Sequence, residues 1–130
     1  MRVDLLARLE ADDALNAAQS ISWVSRPPKA GLPGITLQQI SPGRAYAMSS
    51  AIDLHDSIVR FDFWGLAMRD IDPLTRATVA LLEQPGQYGD TIFSRSLLES
   101  ERDMPAEEVD GIGTVFRISA DFRIWWTSTQ

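Results

Sequence analysis

Three residues near the middle of the chain have types that could carry nucleophilic or acid–base chemistry: Asp53, His55 and Ser57, spaced two apart. A hydrolytic triad needs a buried carboxylate that orients the imidazole, and an oxyanion hole beside the nucleophile. These three fall at the end of a polar, small-residue stretch and read as solvated neighbours. A second group is acidic: Glu99, Glu101, Asp103, Glu107, Glu108 and Asp110. A calcium loop needs oxygen ligands in register, a central glycine and a terminal glutamate, and Pro105 breaks that register. Gly111-x-Gly113 has no strand before it and no helix after it, so it is not a phosphate cradle. His55 is the single histidine and there is no cysteine, so a His cluster, thiolate chemistry and disulfides are excluded. No catalytic residue, metal or cofactor is expected.

With 130 residues and 45% hydrophobic content, one domain over 1–130 is expected, large enough to bury a core without staples. The formal net charge of −6 leaves no basic footprint and argues against autonomous nucleic-acid binding. No run approaches the length of a membrane span, and residues 1–10 lack the apolar core of a signal peptide, so a soluble protein made in the cytoplasm is expected. Lys29 is the single lysine against eleven arginines. Biased genome composition accounts for such a skew; so does a use for planar, weakly hydrated guanidinium groups in protein contacts.

The strongest pattern lies at 114–126, TVFRISADFRIWW. Phe116, Ile118, Ala120, Phe122, Ile124 and Trp126 alternate with Arg117, Ser119, Asp121 and Arg123, which predicts a strand with one buried and one polar face. Its length predicts either a bend or a projecting end covered by another subunit. Of Trp125 and Trp126, alternation sends one to the core and the other to the polar face. Residues 57–64 alternate alike, with Val59, Phe61 and Phe63 against Arg60 and Asp62. The rest reads as a helix over 3–10, a capped turn after Asp12 or Asp13, a short β-prone run over 21–24 and a proline-bounded connector over 26–34. A strand over 34–40 follows, halted at Pro42 and Gly43. A long loop over 43–55 carries Arg44, Tyr46 and Met48. Asp72 and Pro73 predict the start of a helix that ends after Gln84, with Leu74, Ala77, Ala80 and Leu81 inward. A strand over 91–98 and an acidic loop over 99–113 complete the chain. The order predicts an α+β fold: an antiparallel or mixed sheet with two to three helices on one face.

End to end, from about residue 3 to residue 126, the chain resembles the tail-completion or tail-terminator proteins of long-tailed bacteriophages and gene transfer agents. The resemblance is carried by DLLARLEADDAL, GLPGITLQQIS, IVRFDFWG with its following helix, and ESERD leading into FRISADFRIWW. The last is the most specific; the family has no catalytic signature. Asp72 and Pro73 replace an alanine-rich helix start. The resemblance implies a non-enzymatic structural protein of a virion or phage-like particle: a homo-oligomeric ring, typically a hexamer, at the head-proximal end of the tail tube. Its partners would be the major tail tube protein and the head-side connector or stopper, with no membrane involved. Candidate interface residues are Arg44, Tyr46 and Met48 on the long loop, and Glu101, Arg102 and Asp103 on the acidic one. Arg60, Asp62, Arg117, Arg123 and Trp125 are candidates on the polar strand faces. Two alternatives stay open: another neck or head–tail joining protein, and a small-molecule-binding or enzymatic α+β domain using Arg60, Asp62 and Arg117.

Overall fold

Alternation in two long strands organises the molecule. The computed structural model describes residues 1–23, 32–47 and 53–129, with the backbone alone over 41–47 and at 53. The chain runs α1 (Arg2–Glu10), a 3-10 turn (Asp13–Leu15), β1 (Ser20–Ser22), β2 (Gly34–Ala47), β3 (Asp53–Gly65) and α2 (Met68–Leu82). It continues through β4 (Gly86–Tyr88), β5 (Thr91–Phe93), β6 (Leu97–Val109) and β7 (Gly113–Ser128). The sheet order is β1-β2-β3-β7-β5-β4, with β6 lying along the same edge of β7 as β5. β1 runs parallel to β2 and the other pairs are antiparallel, so the sheet is mixed and the fold is α+β.

The central pair, β3 and β7, runs without a register shift from His55↔Trp126 to Gly65↔Phe116. Inward from it point Val59, Phe61, Phe63, Ile118, Ala120, Phe122 and Ile124, joined by Ile35 and Leu37 of β2. Phe61 meets Phe122 edge-on, ring centroids 5.0 Å apart. Leu5 and Leu9 of α1 and Ile71, Leu74 and Leu82 of α2 close the same cluster, so both helices cover one face. Asp12 caps the 3-10 turn, its carboxylate accepting from Ala14 N–H at 3.2 Å. α1 also sends the Arg8 guanidinium to the other helix. Its Nη2 donates to the carbonyls of Leu81 (2.9 Å) and Gln84, at the negative end of α2. Burial pushes the Arg8 pKa down, with the charges of Tyr88 and Asp12 opposing.

Several sequence expectations are corrected. The strand over 34–40 continues through Pro42 and Gly43 to Ala47; the two residues sit in register shifts between Gln39 and Arg44, where the missing proline N–H interrupts no ladder bond. Much of the long loop over 43–55 is therefore hairpin strand; Met48 and most of the connector over 26–34 lie outside the described residues. The acidic loop is also a strand: 99–109 belongs to β6, in a hairpin with β7. The turn closes through Ile112 N–H to the Val109 carbonyl at 3.0 Å, with Gly111 at φ 82° in its third position. The candidate strand over 91–98 is two pieces, β5 and the start of β6.

Helix α2 starts at Met68, not at Asp72, and holds Pro73 inside. Proline there removes one bond to the Arg69 carbonyl, but starting early buries Ile71 completely, a gain of about 1.5–3 kcal/mol. The inward face is also rotated from the expected one: Thr75 and Thr78 are buried while Ala80 is exposed. Both hydroxyls donate to carbonyls one turn back, Ile71 at 3.0 Å and Leu74 at 2.9 Å, so their burial leaves no polar group stranded.

Gly65 ends β3 where α2 folds back over it. A Cβ at this position would lie 2.5 Å from Ile71 Cγ2, a fully buried β-branched side chain. Gly65→Ala is expected to lower the unfolding free energy by about 1–3 kcal/mol, read from the denaturant midpoint.

Candidate functional site

The face opposite the helices is where the outward residues of four strands meet. On β3 and β7 the register sets Arg60 against Asp121, Asp62 against Ser119 and Trp64 against Arg117. β6 adds Ser100 beside Asp121 and Arg102 beside Ser119. Two ion networks result. Arg60 Nε holds Asp121 Oδ1 at 2.8 Å, and Arg102 Nη1 lies 3.8 Å from the other oxygen. Ser100 Oγ donates to Asp121 Oδ2 at 3.4 Å and accepts from Arg102 at 3.2 Å. In the second network Arg123 reaches both ways: Nε to Glu99 at 2.6 Å, Nη1 to Asp56 at 2.9 Å. The Glu99 hydrogen bond raises the Arg123 pKa, with Asp56 adding to it. The Asp121 hydrogen bond does the same for Arg60. For Asp121 itself burial works against ionisation; the Arg60 hydrogen bond and the charges of Arg60 and Arg102 outweigh it and hold the carboxyl below its ordinary value.

At the other end of this face the Arg117 guanidinium lies 4.7 Å from the Trp64 ring centroid, and Trp64 Nε1 donates to Thr36 Oγ1 at 2.8 Å. Arg117 Nε and Asp62 Oδ1 are buried with no hydrogen-bond partner. Opposing charges thus satisfy most of this surface internally.

Not every expected interface residue lies here. Arg60, Asp62, Arg102, Arg117 and Arg123 do. Glu101 and Asp103 point to the helix side, since they pair with Ala120 and Ile118; Glu101 holds Arg76 of α2, raising its pKa. Arg44 and Tyr46 pair through their backbones with Asp56 and Leu54. Of the two tryptophans, Trp126 takes the helix side. It stacks on His55 with centroids 4.2 Å apart and donates to the buried Ser57 hydroxyl at 3.2 Å. Trp125 takes the other face, half-buried, between exposed Ile92 and Leu97 by register. His55, expected in the loop, is therefore a strand residue like Ser57, and both pack around an indole. Among the described residues no group of three or more His, Asp or Glu is placed to hold a metal ion, and no helix is long and apolar enough to cross a membrane.

Asp56 was missed as a member of this surface; Asp121, which alternation in 114–126 sets on the polar face, and Glu99 were not singled out as interface candidates. Also missed was a set of exposed apolar residues at the two ends of α2. Leu66 and Met68 lie at its start; Leu97 borders an open cleft of about 380 Å³ at its finish, lined also by Glu83, Gln84, Arg95, Ser96 and Leu98. Junctions between elements carry no periodicity, so no pattern points to them.

No protein-family model matches this chain, and no curated protein matches it. Among solved structures it is similar to a chain from the virion of a native gene transfer agent particle, with a TM-score of 0.52. That likeness covers 98% of this chain and 95% of the other at 19% sequence identity. A full-length match at that identity shows a shared fold.

The Asp121 networks predict a pH dependence. Its folded-state pKa lies below the unfolded one, so its contribution is present above about pH 4 and is lost as pH falls through the folded value. Asp121→Asn is expected to cost about 1 kcal/mol at neutral pH and to flatten the acid limb of the stability profile. Urea titrations from pH 7 down to pH 2 check this; parallel curves for the two proteins refute it.

Proposed function

We propose that this chain is a structural protein of a phage-like particle, a tail terminator. It would form a homo-oligomeric ring, a hexamer by the family resemblance, at the head-proximal end of the tail tube. There it would stop tube growth and present a surface to the head-side connector. The observation that carries this reading is the end-to-end likeness to a chain of a gene transfer agent virion. The sequence resemblance, with ESERD and FRISADFRIWW on the paired strands β6 and β7, supports the same assignment independently.

The physical logic agrees. A tube of stacked rings grows because the top of each ring matches the bottom of the next. A ring that matches on one side alone leaves a dead end, and no bond-making chemistry is required. Lateral contacts within such a ring are head-to-tail and close when the rotation permits. A net charge of −6 keeps free rings apart in solution. The chain would assemble in the bacterial cytoplasm and reside in the particle, with the major tail tube protein and a head-side connector or stopper as partners.

Sedimentation velocity of the purified protein, alone and with tail tubes, tests this. A discrete ring, or one formed on contact with tubes, is expected, with tube length fixed once it binds. A strict protomer that ignores tube ends would overturn the assignment.

A further inference from the structure

We infer that the ring's lateral contact joins the two ends of α2 in successive copies: the Leu66–Met68 start of one copy enters the cleft at the finish of the next. This deepens the terminator reading and rests on it.

Four observations converge. Among the described residues the exposed large apolar side chains are Val3, Ile40, Leu66, Met68, Ile92 and Leu97. Two of the six, Leu66 at 52% and Met68 at 37% exposure, stand at the start of α2; Leu97, at 53%, borders the cleft at its end. The helix is 15 residues long, so the two places are about 22 Å apart. A knob and a hole at opposite ends of one rigid element give the non-self-complementary pair that a head-to-tail ring needs.

The second observation is charge. Of the arginines whose side chains are described, Arg2, Arg8, Arg60, Arg76, Arg102, Arg117 and Arg123 all have an ion, hydrogen-bond or aromatic partner. Arg69 and Arg95 have none among the described residues. Arg69 sits beside exposed Asp70 next to the knob; Arg95 and exposed Glu83 line the hole. Docking would bring Arg69 to Glu83 and Asp70 to Arg95, opposite signs at both points.

Third, the helix start is uncapped: Ala67 occupies the N-cap and no side chain accepts from the first turn. Fourth, exposed Gln84 lines the cleft and offers a side-chain amide oxygen there. That amide oxygen would answer the orphan donors of the helix start across the contact.

The test uses the full chain. Leu66→Asp and Leu97→Asp, both at exposed positions, are each expected to weaken ring assembly about 30-fold or more with circular dichroism and melting unchanged. Arg95→Glu weakens it, and adding Asp70→Arg restores it. Mixing Leu66→Asp with Leu97→Asp protein gives dimers, since one good knob still meets one good hole, but no rings. Rings that persist in both single variants overturn this contact while leaving the terminator reading intact. Variants that keep the ring but no longer cap tubes overturn it too, by assigning the patches to the tube protein. A wild-type chain that never assembles, alone or on tubes, overturns the terminator reading and this contact together.

Discussion

The unshifted ladder between β3 and β7 is the constraint on which the rest of the molecule depends. Alternation has a period of two, so a slip by one residue would turn Phe61, Phe63 and Phe122 to the solvent and bring Arg60, Asp62 and Asp121 into the core. No such slip is affordable with Val59, Phe61, Phe63, Ala120 and Ile124 all fully buried. Irregularity is displaced outward instead. The register shifts occur in β2, between Gln39 and Arg44, and in β6, between Leu98 and Ser100 and between Met104 and Glu107. Proline stands in one shift of each strand, Pro42 in β2 and Pro105 in β6, where its missing N–H removes no bond from the central pair.

That division explains what could be read from residue order and what could not. Residues 57–64 and 114–126 announce themselves because each alternate side chain has a fixed environment, and the structure extends them only at their ends. β6 gives no such signal. Its inner neighbour β7 satisfies one edge, but most of its side chains face water on both sides, so selection for alternation is absent and composition suggests a loop. α2 misleads for another reason. Asp72 and Pro73 have the chemistry of a helix start, yet the anchor is Ile71, and a buried side chain outweighs one missing backbone bond near the first turn. Thr75 and Thr78 hide the true inner face because their hydroxyls are answered within the helix. The charged surface was half legible: the arginines on β3 and β7 follow from alternation, whereas their partners Asp56 and Glu99 depend on strand bounds and a bulge that no local pattern fixes.

Satisfying charges internally changes where outside contacts can form. Arg60, Arg102 and Arg123 are committed to Asp121, Asp56 and Glu99, so a partner docking on that face would first have to displace pairs already made. Exposed pairs are individually weak, but a network shares its ordering cost among several side chains. The face therefore keeps few charges free for a partner on the side of the sheet away from the helices. Uncommitted arginines and some of the exposed apolar side chains lie near the two ends of α2, at Arg69 and Arg95 and at Leu66, Met68 and Leu97.

The outer edge of β6 then bears on which associations are available. Among the described residues β6 pairs with β7 alone, so its other edge offers an open row of backbone donors and acceptors. Such an edge invites pairing with another chain. It is also lined by Glu99, Glu101, Asp103, Glu107 and Glu108, with Pro105 in its middle. Two copies meeting edge to edge would set carboxylates against carboxylates, a destabilising arrangement in a ladder. Pairing of β6 with another β6 is thereby disfavoured. Surfaces of unlike character avoid that repulsion, and the two ends of α2 are unlike: Leu66, Met68 and Arg69 at one, Glu83, Arg95 and an open cleft at the other.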